Sequence, residues 1–154
     1  WGRRFLHLWV MMDFPPRPTR LAQQIVSELL REGDVAIDAT AGNGHDTQFL
    51  AGCVGPTGRV LAFDVQEAAL RSTGESLRVA RLEERVELHL ASHARMAEFA
   101  EAGSVAAVMF NLGYLPGKDH ALATEADETL CALDAACVVM KTGAVLSAIS
   151  RARA

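Results

Sequence analysis

Short apolar runs alternate with stretches of helical periodicity along most of the chain. Apolar residues at helical spacing between Leu21 and Leu30 predict a first helix, which Thr19 would cap and Gly33 would end. Apolar runs predict strands at 35–39, 59–64, 85–90, 105–111 and 144–149, with helices at 46–53, 66–82, 93–102 and 126–140 between or after them. Such alternation builds βαβ units, so the pattern predicts an α/β fold with a central, mostly parallel sheet and flanking helices.

Polar residues follow the carboxyl ends of four predicted strands. They are Asp38, Asp64, the pair Ser92 and His93, and the segment that begins at Asn111. Ligands of parallel sheets bind beyond these strand ends, where the strand order reverses. We therefore predict one ligand site that draws on all four segments.

The segment after the first predicted strand indicates the ligand. Residues 38–47 read DATAGNGHDT, a carboxylate followed by a Gly-x-Gly turn that lets a ligand approach the backbone closely. A dinucleotide site would have a third glycine where Thr47 stands, and Asp46 would repel a pyrophosphate at the start of the following helix. S-adenosylmethionine has no phosphate and carries an ammonium and a sulfonium, which carboxylates favour. We predict an S-adenosylmethionine site and keep a dinucleotide site as the alternative.

Two further segments carry candidate chemistry. Asp64 lies 20 residues after Gly44, where an acidic residue binds the ribose hydroxyls of an adenosine ligand, although it could instead cap the next helix. The amide oxygen of Asn111 could accept hydrogens from a substrate amine, and Tyr114 offers a ring on which a base can stack. Asp119 or the neighbouring His could take the proton that the amine sheds. Otherwise this segment is a turn with a buried tyrosine and solvated polar residues.

Composition and charge narrow the class of protein. The chain has 154 residues and a net charge of −4, which argues against a non-specific nucleic-acid binder but allows RNA binding through a local basic patch. Its three cysteines show no C-x-x-C spacing, so we expect neither disulfides nor a metal site, and a reduced, cytoplasmic setting. No apolar stretch approaches the ~20 residues of a membrane span, so no membrane partner is expected. We expect residues 1–17, which end among prolines, to be an N-terminal extension, for which disorder is one interpretation.

Three segments in the same order resemble the bacterial putative rRNA methylase family of class I methyltransferases. They are 38–47 (DATAGNGHDT), 63–66 (FDVQ) and 110–119 (FNLGYLPGKD), and the third is distinctive of the family. That family includes the enzymes that methylate 5-aminomethyl-2-thiouridine at the tRNA wobble position. The resemblance covers residues from about 34 to 143.

The resemblance implies a Rossmann-like fold, S-adenosylmethionine as donor and N-methylation of an exocyclic amine on RNA, with tRNA as the expected partner. Together with the strand-end analysis, it implies catalytic roles for Asn111, Tyr114 and Asp119. The implied donor-binding residues are Asp38, Thr40, Gly42, Asn43, Gly44, His45, Asp46, Thr47, Asp64, Gln66, Ser92 and His93.

The resemblance also raises an expectation about the C-terminus. Family members continue past the Gly143 position through further strands, whereas this sequence ends at Ala154. We therefore expect the methyltransferase domain, 18–154, to be C-terminally incomplete. Two interpretations stay open: a truncated gene product, or a chain that covers its open sheet edge by self-association as a homodimer. A small-molecule N-methyltransferase and a donor-binding module without turnover are the alternative functions.

Overall fold

The computed structural model of the chain describes residues 17–112 and 119–150. Of the predicted extension 1–17 only Arg17 is among them, and Tyr114 lies outside them. The helices are α1 (Pro18–Leu29), α2 (His45–Val54), α3 (Glu67–Ala80) and α4 (Asp119–Val139), with short 3-10 helices at Glu83–Arg85 and His93–Glu98. The strands are β1 (Val35–Asp38), β2 (Arg59–Asp64), β3 (Val86–Leu90), β4 (Val105–Leu112) and β5 (Met140–Ser150).

The five strands form one parallel sheet in the order β3-β2-β1-β4-β5. The chain moves outward from β1 to β3 on one side and from β4 to β5 on the other. The strand order therefore reverses between β1 and β4, and their carboxyl ends, at Asp38 and Asn111, flank the crevice in which such sheets bind ligands. The predicted Rossmann-like α/β fold is confirmed.

Alternate residues of the central strands face two separate hydrophobic cores. Ile37 of β1 is fully buried in the core that also contains residues of α4 and of the second 3-10 helix. Its neighbour Ala36 is equally buried in the other core, beside residues of α1 and α2. Because successive side chains of a strand point to opposite faces, a sheet covered on both sides needs the continuous apolar strands seen in this sequence.

Several predicted boundaries differ from the observed ones. Thr19 does not cap α1, because Pro18 occupies the first helical turn and Arg17 is the residue before it. The predicted helix over 93–102 is a 3-10 helix that ends at Glu98, where the backbone amides of residues 99 and 100 both bond the Met96 carbonyl.

The predicted last helix and last strand both begin earlier than expected. α4 starts at Asp119 instead of residue 126, and β5 starts at Met140 instead of residue 144. β5 is longer because the register shifts: Val105 pairs with Met140, but Ala107 pairs with Val145. The extra residues on β5 include Gly143, whose φ of +81° suits such an irregularity. In the described part of the chain, no helix is both long and apolar enough to cross a membrane.

Candidate functional site

Asp38, the last residue of β1, is the most deeply buried carboxylate of the crevice. Its side chain is 1% exposed, and it accepts two hydrogen bonds, from the Thr47 hydroxyl at 2.6 Å and from the Thr40 backbone amide at 3.0 Å. Thr47 is itself fully buried in the first turn of α2, so its hydroxyl is committed to Asp38. The aspartate thus holds the loop after β1 against the helix that follows it.

The environment of Asp38 disfavours a negative charge. Burial raises the pKa of Asp38 from 3.8 to about 6, because desolvation outweighs the hydrogen bonds from Thr47 and Thr40, and Asp46 and Asp64 add repulsion. A nearby cation would offset both the burial and the repulsion. The charge of the site therefore fits a cationic group better than an anionic one.

The loop from Ala39 to Gly44 is tied to the ends of both neighbouring strands. The Ala39 amide bonds the Met109 carbonyl of β4 at 2.8 Å, and the Ala41 amide bonds the Phe63 carbonyl of β2 at 2.9 Å. These bonds hold the loop backbone across the point where the strand order reverses.

Gly44, immediately before α2, has little room for a side chain. Its φ is +82°, and a β-carbon there would lie 3.1 Å from Cα of Thr73 in α3. Gly42 also has a positive φ, +53°, and its carbonyl accepts the Thr73 hydroxyl at 3.1 Å. The two glycines therefore allow the loop to turn sharply while α3 packs directly behind it.

Asp64, at the end of β2, is partly exposed and faces the same loop. One of its oxygens accepts the Gly42 amide at 3.0 Å, and the other accepts the Gln66 amide at 2.9 Å. Each carboxylate oxygen can accept more than one hydrogen bond, so Asp64 keeps acceptor capacity for a ligand. Gln66, and not Asp64, is the residue before α3, so Asp64 holds the turn without being the cap of the helix.

Asn111, near the end of β4, completes the crevice opposite Asp38. Its backbone amide donates to the Thr40 hydroxyl at 2.8 Å, and its side-chain Nδ2 lies 3.4 Å from Oδ2 of Asp46. Asp46 also accepts a hydrogen bond from Nε2 of Gln23 in α1 at 2.7 Å. Residues that are 65 or more positions apart in the sequence, such as Asn111 with Asp46 and with Thr40, thus meet at the site.

Three carboxylates therefore surround one glycine loop: Asp38, Asp46 and Asp64. The hydrogen bonds described for them come from backbone amides, a hydroxyl and side-chain amides, all of which are neutral donors. Neutral donors stabilise the carboxylates without cancelling their charge. The local field favours a cationic ligand over a pyrophosphate.

Ser92 and His93 follow β3 at the outer side of the crevice. The Ser92 hydroxyl bonds the Glu128 carboxylate of α4 and accepts the Ala94 amide at 3.2 Å. The His93 ring packs edge-on against Phe110, with ring centres 5.7 Å apart. Burial lowers the pKa of His93 despite the nearby carboxylates, which favours the neutral form of the ring.

Two histidine nitrogens are buried without a hydrogen-bond partner among the residues described. They are Nε2 of His93 and Nε2 of His89, whose ring lies between Phe63 and Phe99. His89 belongs to an aromatic cluster, whereas His93 lies next to the loop after β1. Within 17–112 and 119–150, no three His, Cys, Asp or Glu side chains come together in a way that could hold a metal.

The remaining predicted residues occupy the outside of the site or lie beyond the described part. Asn43, His45 and Gln66 are exposed around the loop. Tyr114 is outside the described residues, and Asp119 is the first residue of α4.

Sequence reasoning missed three residues that support the site: Gln23, Thr73 and Glu128. Gln23 bonds Asp46, Thr73 bonds Gly42, and Glu128 bonds Ser92. Each of the three lies in a helix that is distant in sequence from its partner. Thr73 is a fully buried polar residue on the inner face of α3. A polar residue among the apolar positions of a helix is the sequence signal that could have indicated Thr73.

The family model described as "Putative rRNA methylase" matches residues 60–150, which is more than half of the chain. The chain belongs to this family. Among its relatives is the chloroplastic tRNA (mnm(5)s(2)U34)-methyltransferase of Arabidopsis thaliana, 37% identical over 142 residues. That match covers 86% of this chain and 52% of the plant protein, so the chain spans about half the length of that relative.

Two solved structures of this kind are also similar to the chain. A putative rRNA methylase from Clostridium thermocellum is 39% identical, with a TM-score of 0.76 over 84% of this chain and 69% of that one. A putative methyltransferase from Streptococcus mutans, solved in complex with SAH, is 36% identical, with a TM-score of 0.72 over 84% of this chain and 70% of that one. Both similarities support the Rossmann-like fold of this chain.

Proposed function

We propose that this chain binds S-adenosylmethionine in the crevice between β1 and β4 and methylates an amine on RNA. The observation that carries the proposal is the glycine loop surrounded by Asp38, Asp46 and Asp64 at the point where the strand order reverses. The chemistry of these groups fits the donor, which carries a sulfonium, an ammonium and one carboxylate, and has no phosphate. The similar protein from Streptococcus mutans, solved with SAH, supports the same assignment.

Each donor-binding role follows from the position of the residue. Asp64 would accept hydrogen bonds from the ribose hydroxyls, since it keeps free acceptor capacity beside the loop. Asp38 would attract the ammonium, directly or through water, and Thr47 would act through Asp38. The loop backbone from Thr40 to Gly44 would line the ligand.

The outer residues of the site would contact the rest of the donor. Ser92 and His93 would contact the adenine of a donor whose ribose is held at Asp64. Nε2 of His93 is buried and has no hydrogen-bond partner among the described residues, which supports a ligand contact there. Asn43, His45 and Gln66 would form the exposed rim.

Asn111 would hold the acceptor. When bound, the donor supplies an electrophilic methyl group on a sulfonium. The Asn111 amide oxygen would accept a hydrogen bond from a neutral amine, so that the lone pair of the amine nitrogen points at the methyl carbon. The N–C bond forms as the C–S bond of the donor breaks. The amine then sheds one proton, and Asp119 is the proposed acceptor, with Tyr114 stacking on the base. Positioning supplies most of the rate increase in such a transfer.

The finer identity of the acceptor rests on the plant relative, which acts on a wobble uridine of tRNA according to its name. We propose the aminomethyl group of a wobble 5-aminomethyl-(2-thio)uridine as the substrate. A cytoplasmic setting and a homodimer are further proposals; the three cysteines are free, as a reduced compartment requires.

The test combines binding and turnover. Calorimetry should detect S-adenosylmethionine and SAH binding, and a labelled donor should transfer methyl to tRNA from cells that lack this gene. Mass spectrometry of the nucleosides then identifies the base. Transfer to amine metabolites but not to tRNA would favour a small-molecule N-methyltransferase, and binding without any labelled product would favour a module without turnover.

A further inference from the structure

Asp46 lies between two side-chain amides that come from different parts of the fold. The residue is the second of α2 and is 8% exposed. Its Oδ1 accepts Nε2 of Gln23 in α1 at 2.7 Å, and its Oδ2 faces Nδ2 of Asn111 in β4 at 3.4 Å. A carboxylate that only began a helix would point to solvent near the backbone amides of its first turn.

The chemistry of a carboxylate decides how the Asn111 amide is turned. An ionised carboxylate can only accept hydrogen bonds, so it must meet the NH₂ end of each amide that it contacts. The carbonyl oxygen of Asn111 is thereby directed away from Asp46. The backbone of Asn111 cannot move to compensate, since its amide is bonded to the Thr40 hydroxyl at 2.8 Å.

An asparagine without such a neighbour has two nearly equivalent orientations, related by exchange of O and NH₂. Only one of them presents an acceptor to the hydrogens of an amine. The contact with Asp46 selects that orientation, and the shorter bond from Gln23 keeps the Asp46 carboxylate in place.

We propose that Asp46 is a positioning residue, which Gln23 supports and which sets the Asn111 amide with its oxygen toward the acceptor amine. This inference rests on the proposed function for the role of that oxygen. The orientation itself rests only on the contacts of Asp46.

The first test is kinetic. Asp46→Asn keeps the shape of the side chain but lets its amide donate to the Asn111 oxygen, which permits the wrong orientation. We expect kcat for methyl transfer to tRNA at saturating donor to fall by about tenfold or more, as for the loss of one hydrogen bond to the reacting amine. Because Asp46 is also one of the three carboxylates around the loop, Kd for SAH should rise as well, but by a smaller factor. Gln23→Leu should lower kcat by a smaller factor.

The matched control is Glu67→Gln, which removes an exposed carboxylate from the first turn of α3. Its kcat should stay within about twofold of the parent value, so that loss of a helix-start charge alone is excluded as the cause. An unchanged kcat in Asp46→Asn overturns the proposal. Asp46 would then be structural or, if Kd for the donor rises strongly, a direct donor ligand.

The second test does not depend on activity. Asn43 and Asn111 are the two asparagines of the chain, so selective ¹⁵N-asparagine labelling gives two side-chain NH₂ signals, and exposed Asn43 is an internal reference. Asp46→Leu should shift the Asn111 signal and speed its exchange with solvent, and should leave Asn43 unchanged. An unaffected Asn111 signal refutes the orientation. If the parent protein shows no methyl transfer, the proposed function is refuted. The NMR result then still tests the orientation of the Asn111 amide by itself.

Discussion

Replacing Asp38 by asparagine should stabilise the folded protein at neutral pH and remove part of its pH dependence. Asparagine fits the same place, because its oxygen can accept the Thr40 amide and its NH₂ can donate to the Thr47 hydroxyl. The substitution therefore removes a buried charge but keeps two hydrogen bonds.

The size of the effect follows from the pKa of Asp38, which folding raises from 3.8 to about 6. The folded state binds this proton more tightly than the unfolded state does. The stability that Asp38 contributes is thus complete below about pH 4 and is lost as the pH rises through about 6, with a total of about 3 kcal/mol. Asp38→Asn should be more stable than the parent by about 2–3 kcal/mol at pH 7.5 and by almost nothing near pH 4.

Urea unfolding of both proteins between about pH 4 and pH 8 measures this difference directly. Asp34, just before β1, is the matched control: burial acts to raise the pKa of Asp34, but hydrogen bonds from Lys141 and the Arg31 amide outweigh it and lower the pKa. Stability from Asp34 is present above its unfolded pKa and is lost on acidification, so Asp34→Asn should be less stable than the parent at pH 7.5. An Asp38→Asn protein that is less stable than the parent at pH 7.5, or a difference that does not vary with pH, would refute the reasoning.

Three further substitutions test the site. Asn111→Ala should abolish methyl transfer while Kd for SAH, measured by calorimetry, stays within about twofold, because the amide acts on the acceptor. Asp64→Ala should weaken SAH binding by about 10- to 100-fold, as expected for lost hydrogen bonds to a charged group. Gly44→Ala should lower the free energy of unfolding by about 1–3 kcal/mol, because its φ is +82° and the new β-carbon would lie 3.1 Å from Thr73.

Each of these has an outcome that would contradict it. Loss of SAH binding in Asn111→Ala would make Asn111 a donor ligand, and unchanged affinity in Asp64→Ala would remove Asp64 from the ribose site. Gly103→Ala is the control for Gly44→Ala, since Gly103 has a φ of +70° with nothing within 4 Å of the added carbon. Equal destabilisation at both glycines would show that backbone strain alone acts at Gly44.

The sequence by itself determined the sheet and the chemistry at its edge. Apolar runs such as 59–64 predict strands wherever they occur, and the alternation of strands with helices allows little but a parallel sheet. Asp38 and Asp64 come directly at the ends of such runs, so their place at one edge follows from the pattern alone. The boundary at Met140 could not be predicted, because the register shift between β4 and β5 sets it.

Only the tertiary structure decided which polar groups bond each other. Nothing near Asp46 in the sequence indicates that Gln23 and Asn111 will meet its two oxygens, or that Thr47 will be buried against Asp38. The spacing of apolar residues indicates which side of a helix or strand faces the core, because burial of apolar surface is local and additive along the chain. Hydrogen bonds are directional and depend on where side chains of separate elements come within bonding distance of each other, which only the packed fold can fix.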